Sequence, residues 1–147
     1  MSIARSLSSL VGGLLLAVAV TGCTAEAEEP STDPPAVVED VPGSEVKSVK
    51  LRPDAAEAVG IRTAAVAMGG AGGRLTIPYA AVVYYLDGTT WAYTETDPHT
   101  FQRAPITVAS IAGDVATLSA GPAVGTPVVV VGAPEVFGAE LEIDGEQ

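Results

Sequence analysis

The stretch LTIPYAAVVYYLDGTTWAYT, residues 75–94, decides the fold. It is built from β-branched and aromatic residues and is split by Asp87-Gly88, a dipeptide suited to the tight turn of a two-residue hairpin. With Asp87 and Gly88 as the two loop residues, Leu86 pairs with Thr89, Tyr84 with Trp91 and Val82 with Tyr93. Side chains alternate along a strand, so Val82, Tyr84, Trp91 and Tyr93 are expected on one face, as aromatic cross-strand pairs. That face reads first as core. Its alternative use is a partner or ligand platform made of Tyr84, Trp91 and Tyr93.

Strand signals continue on both sides. Phe101 to Val108 reads as a strand interrupted by Pro105, which points to a sheet edge or a bulge. Val115 to Leu118 follows the turn Gly113-Asp114. Val128 to Val131 follows a turn over Gly121 to Gly125, and four consecutive valines suit a strand covered on both faces. Upstream, Pro53 to Gly60 reads as a short helix, with Asp54 and Glu57 at capping-box spacing and Gly60 placed for a left-handed stop. Ile61 to Ala67 reads as a strand. The glycines from Gly69 to Gly73 lack the Lys-Ser/Thr of a phosphate-binding loop and read as a plain flexible connector. The expected fold is mainly β, a small antiparallel β-barrel or β-roll over residues 47–138 with one short helix. Residues 139–147 read as a frayed acidic tail.

The N-terminal segment is an address. Arg5 is the only charged residue in the first 25, and the apolar run from Leu10 to Val20 is too short to span a bilayer. It leads into Val20-Thr21-Gly22-Cys23, which resembles the lipobox of bacterial lipoproteins. The resemblance implies a signal peptide over residues 1–22, with Cys23 carrying a covalent lipid as the mature N-terminus. An ordinary secretory signal with an inert Cys23 is the plainer alternative. Residues 23–46 then form an anchored linker: from Thr24 to Val46 there are seven acidic residues, no basic ones and four prolines. Such a segment buries too little apolar surface to offset its ordering entropy, so it reads as a disordered tether. The lack of Asn and the low Lys content suit a bacterial chain from a GC-rich source.

Composition removes several function classes. Across 147 residues, 7 Lys and Arg face 18 Asp and Glu, a formal charge of -11, which argues against nucleic acid and anionic membrane surfaces as partners. One cysteine permits no intrachain disulfide, and one histidine must serve any catalytic triad or metal set. No Asp or Glu sits in an apolar run that would raise its pKa, and neither Ser110 nor Ser119 has a nucleophile's setting. The chain therefore reads as no enzyme, with no cofactor other than the lipid on Cys23. His99, in a turn-like Asp97-Pro98-His99, reads as an exposed loop histidine. With Met68 and an acidic neighbour it is a weak candidate for copper or zinc, short of the three or four ligands a site needs.

The order of signals in the body resembles a family, the periplasmic adaptors (membrane fusion proteins) of efflux and secretion systems. The residues are Ile77-Pro78-Tyr79-Ala80-Ala81-Val82-Val83, Asp87-Gly88, Trp91-Ala92-Tyr93, Arg103 to Val108, Gly121 to Gly125, and Val128 to Gly132. Earlier, Leu51 to Asp54 and Gly60 to Ala64 are similar to the segment that precedes the lipoyl-like domain of those proteins. Only Ala65 to Leu75 lies between the two parts, where full adaptors carry that domain and usually a helical hairpin, so the likeness implies the membrane-proximal β-domain without a reach to an outer-membrane channel. It implies a lipid-anchored, non-enzymatic protein at the outer face of the bacterial cytoplasmic membrane or cell envelope, docking on a transporter, permease subunit or other partner. A small-ligand or metal-binding surface lipoprotein and a degenerate scaffold fragment are the alternatives. Replacing the thiol by Cys23→Ser is expected to abolish membrane fractionation and precursor processing, read by fractionation and gel mobility; unchanged behaviour would remove the lipid anchor.

Overall fold

The computed structural model describes residues 33–69 and 72–144. Cys23 and the expected signal segment lie outside them. The fold is mainly β, an open, curled antiparallel half-barrel. In chain order the elements are β1 (Ala36–Asp40), β2 (Lys47–Leu51), α1 (Pro53–Val59), β3 (Arg62–Ala65), β4 (Ala67–Gly69), β5 (Arg74–Pro78), a 3-10 turn (Tyr79–Ala81), β6 (Val83–Tyr84), β7 (Thr90–Asp97), β8 (Thr100–Ala112), β9 (Val115–Ala120), β10 (Pro127–Val131) and α2 (Ala133–Asp144). The path of hydrogen-bonded neighbours runs β3-β10-β7-β8-β9-β5-β4, with the β1-β2 hairpin joined to β8 through β2, and β6 joined to β7.

Alternation along the middle strands builds two cores. Tyr93, Phe101 and Val129 face one way and pack with Ala56 of α1, Val49 and Leu51 of β2, and Ala133 and Val136 of α2. Ala92, Ile106 and Val128 face the other way and pack with Ile77, Ala81, Ala116, Leu118 and Val66. The sheet of β7, β8 and β10 is thus covered on both faces, which explains an unbroken valine run in β10. Val128 and Val129 are buried, Val130 is half-buried and Val131 emerges at the end.

β8 makes the curl. Thr100 to Ile106 pairs with β7, then Thr107 to Ala112 pairs with β9, with register shifts between Thr107 and Ser110. Such bulges bend a strand and raise its twist. Pro105, expected at a sheet edge or a bulge, pairs with Trp91 of β7 on one side. It lies between Gln102, where pairing with β2 stops, and Thr107, where pairing with β9 starts, a short stretch in which a missing N–H costs little.

The hairpin register differs by one residue from the two-residue loop. Tyr85 N–H donates to Thr89 O at 2.9 Å and Gly88 N–H to Tyr85 O at 3.0 Å, so the loop is Leu86-Asp87-Gly88, with Gly88 at φ 84°. This is a type I-like turn closed by a left-handed glycine, the usual three-residue hairpin, and Asp87 Oδ1 accepts from Thr89 N–H at 2.9 Å. Val83 therefore pairs with Trp91 and Tyr84 with Thr90. A one-residue slip moves a strand's side chains to the opposite face. Tyr84 does not join Trp91 and Tyr93; Tyr85 does.

Three further expectations change. The tether ends before Val46, because Ala36 to Asp40 pairs with Leu51 to Lys47 and buries Ala36. The single short helix becomes two: residues 139–144 of the expected tail continue α2, whose positions 133, 136, 137 and 140 recur at helical spacing and face the sheet. α1 forms as read and stops at Gly60 (φ 72°), but its N-cap is Arg52, with Pro53 in the first turn and no capping box. Arg52 instead forks onto Asp54 at 2.7 and 2.9 Å, lowering the Asp54 pKa. On either side of the expected glycine connector, β4 and β5 pair antiparallel as far as Gly69 opposite Arg74.

Gly132 joins β10 to α2 at φ 87°, and its carbonyl accepts from Val136 N–H at 3.0 Å. A Cβ there would collide with Ile61 and lie 2.9 Å from Val59 Cγ1. Gly132→Ala is expected to destabilise the domain by about 1–3 kcal/mol in a urea titration, through backbone strain plus this clash. An unchanged midpoint would contradict that packing.

Candidate functional site

The most concentrated chemistry lies beneath α2. Glu140 is 1% exposed, the only buried acid among the described residues. Its placement follows from the helix period, which carries Glu140 to the sheet-facing side two turns after Ala133. Tyr93 Oη donates to Glu140 Oε2 at 2.5 Å, and Arg103 Nε lies 2.9 Å from Oε1. Tyr93 and Arg103 sit directly opposite each other on β7 and β8. The Arg103 Nε–H has no aligned acceptor, so the contact to Glu140 is an ion pair rather than a linear hydrogen bond.

Aromatic rings complete the enclosure. The Arg103 guanidinium lies 5.0 Å from the Tyr85 ring centroid and 5.1 Å from that of Trp91, within cation–π range. Phe137 of α2 meets Tyr85 edge-on, with centroids 5.7 Å apart. Trp91 Nε1 donates to Thr89 Oγ1 at 2.7 Å, and Thr89 Oγ1 donates to Asp87 Oδ1 at 2.6 Å. The bonds from the Thr89 hydroxyl and then from its backbone N–H hold the Asp87 carboxyl below its usual pKa. Burial pushes the Tyr93 phenol far above its usual pKa, the bond to the Glu140 carboxylate adds to this, and Arg103 partly opposes it. Both oxygens of Glu140 are engaged and the group is sealed from solvent. This constellation closes the body rather than presenting a reacting group.

The residues read from the sequence are dispersed. Tyr93 is fully buried, Trp91 is half-buried against Arg103, and Tyr84 is 53% exposed. They form no common ligand face. Tyr84 instead contacts Tyr79, whose hydroxyl raises the Tyr84 pKa by hydrogen bonding. Tyr79 is also exposed, and Leu86, two residues on from Tyr84, is 97% exposed at the hairpin tip.

His99 occupies the β7-β8 turn at φ 60°, its N–H donating to Glu95 Oε1 at 3.1 Å and its carbonyl accepting from Leu51 N–H at 2.9 Å. Its side chain lines a shallow cleft of about 440 Å³ with Glu57, Arg62 and Glu95. Met68 is on β4 and does not line that cleft. Among the described residues no group of three or more His, Cys, Asp or Glu is placed to hold a metal, and no helix is long and apolar enough to cross a membrane.

Sequence reasoning missed Arg103, Glu140, Tyr85 and Phe137. The signal for Glu140 and Phe137 was present in the helical spacing Ala133, Val136, Phe137, Glu140.

Glu140→Ala would leave Arg103 buried without its counter-charge and is expected to cost about 3–5 kcal/mol in urea denaturation, whereas the apolar pair Arg103→Met with Glu140→Leu is expected to cost far less. Equal losses would show that packing, not charge, holds α2. A second expectation concerns alkaline pH. The raised Tyr93 pKa means that above about pH 10 the unfolded chain loses a phenol proton which the native state keeps. Stability then falls as pH rises, at up to about 1.4 kcal/mol per unit for that proton, and Tyr93→Phe should flatten this slope. Identical slopes in the two proteins would remove the buried bond.

A scan against protein-family models, a search of curated proteins and a search of solved structures each find no match to this chain.

Proposed function

We propose that this chain is a non-enzymatic, lipid-anchored protein of the bacterial cell envelope whose β-domain docks on a membrane transporter or another envelope protein. In this reading Cys23 supplies the anchor and the body supplies the contact, as the likeness to the membrane-proximal module of periplasmic adaptors suggests. The observation that carries it is the exposure of Leu86, Tyr84 and Tyr79 on the hairpin and the adjoining 3-10 turn. Exposed apolar groups in neighbouring segments favour a protein contact over solvation. The face that a small aromatic ligand would need is filled by Arg103, Phe137 and Glu140.

The test is site-specific photo-crosslinking in the native membrane, with the reactive group at Leu86, at Tyr84 and, as a comparison, at Glu57 on α1. Discrete adducts with one membrane protein from Leu86 and Tyr84, lost with Cys23→Ser and missing from Glu57, are the expected result. Equal adducts from all three positions would contradict the proposal.

A further inference from the structure

The point at which the chain enters the body limits how far an anchored body can travel. Two hydrogen bonds and a strand pairing fix that point. Arg52 Nη1 donates to the carbonyl of Asp33 at 2.6 Å, and Arg52 N–H to that of Pro35 at 3.0 Å. From Ala36 to Asp40 the chain is then a strand paired with β2, and the far end carries the Lys47–Asp40 ion pair at 3.8 Å. β2 is itself held on its other side by β8, through Ser48 to Lys50. The acidic segment is therefore clamped to the body from Asp33 onward.

Resting on the lipid-anchor reading above, we infer that β1 makes the anchor a short leash, so that the docking surface engages a partner lying flush with the bilayer. From Cys23 to Asp33 there are ten Cα steps, which span at most about 35 Å fully extended. Were the chain free up to Lys47, 24 steps would allow about 80 Å. A body of this size is itself about 35 Å across, so the clamp keeps it within about one diameter of the lipid surface. That reach suits an integral membrane protein's extracytoplasmic face. With the leash fully extended the far side of the body reaches about 70 Å from the lipid, and a partner beyond that distance is excluded.

The test uses the full-length, lipidated protein in phosphatidylcholine vesicles. Cys23 is the only native cysteine, so with its thiol acylated, Glu57→Cys gives a single site for a donor dye, and acceptors sit on lipid headgroups. The expected result is energy transfer that falls on Val38→Pro, which breaks β1 pairing and lengthens the leash's r.m.s. span by about 1.5-fold. Equal transfer in the two proteins would overturn the clamp. Because Val38→Pro can unsettle the body, hydrogen exchange of the unsubstituted protein gives a second arm. Paired amides of β1 protected like those of β2 support the clamp, and exchange at open-chain rates overturns it. No transfer in the unsubstituted chain, matching Cys23→Ser, would overturn the anchor instead, and the exchange arm would still decide the clamp.

Discussion

Burial of the β7-β8-β10 sheet on both faces is the constraint on which the other features depend. A sheet with one wet face needs apolar side chains at every second position, whereas this one needs them at nearly every position. Ala92 beside Tyr93 and Val128 beside Val129 meet that requirement, each pair sending one side chain to each core. The curled flank of β5 and β9 can cover only one side. The other must be covered by the β1-β2 hairpin and by α1 and α2, and so a segment read as tether and another read as tail become parts of the body.

The polar price of this closure is concentrated at Glu140. A carboxylate taken out of water is tolerated when its charge is matched and its oxygens are engaged, and Arg103 and Tyr93 do both. The rings of Tyr85 and Trp91 accept the guanidinium face that the carboxylate does not reach. Breaking such a pair is costly while replacing it with apolar groups need not be, so its contribution is to orient α2 as much as to stabilise it. The same arrangement accounts for Trp91 and Tyr93, read first as core and alternatively as a ligand platform. They meet an ion pair that belongs to the protein.

What was legible in the sequence followed from local rules. Gly60 stopping α1, the turn-bounded strands and the double-faced valine run all rest on short-range chemistry. The errors arose where a long-range contact overrode a local preference. Asp87-Gly88 permits a two-residue or a three-residue loop, and the longer one turns Tyr85 rather than Tyr84 inward, against Arg103. Glu140 breaks the apolar stripe of α2 at the position where only a buried partner on β8 makes an acid acceptable. The acidic Ala36–Asp40 stretch becomes a strand because β2 offers an open edge. Among the described residues, the exposed apolar groups at Tyr79, Tyr84 and Leu86 came into view only once the register was known.

With the aromatic and ionic groups spent on closure, the proposed docking role rests on the exposed hairpin and on the anchor that would hold it near a membrane. The central claim is that α2 is part of the body and that Glu140 is its latch. Trp91 is the only tryptophan, so its emission reports on that enclosure directly. The decisive measurement is urea denaturation followed by Trp91 fluorescence, comparing the whole chain with one ending at Gly132. The account predicts a red-shifted native emission and a lost or strongly lowered cooperative transition in the shortened chain. Unchanged emission with the same midpoint would contradict it.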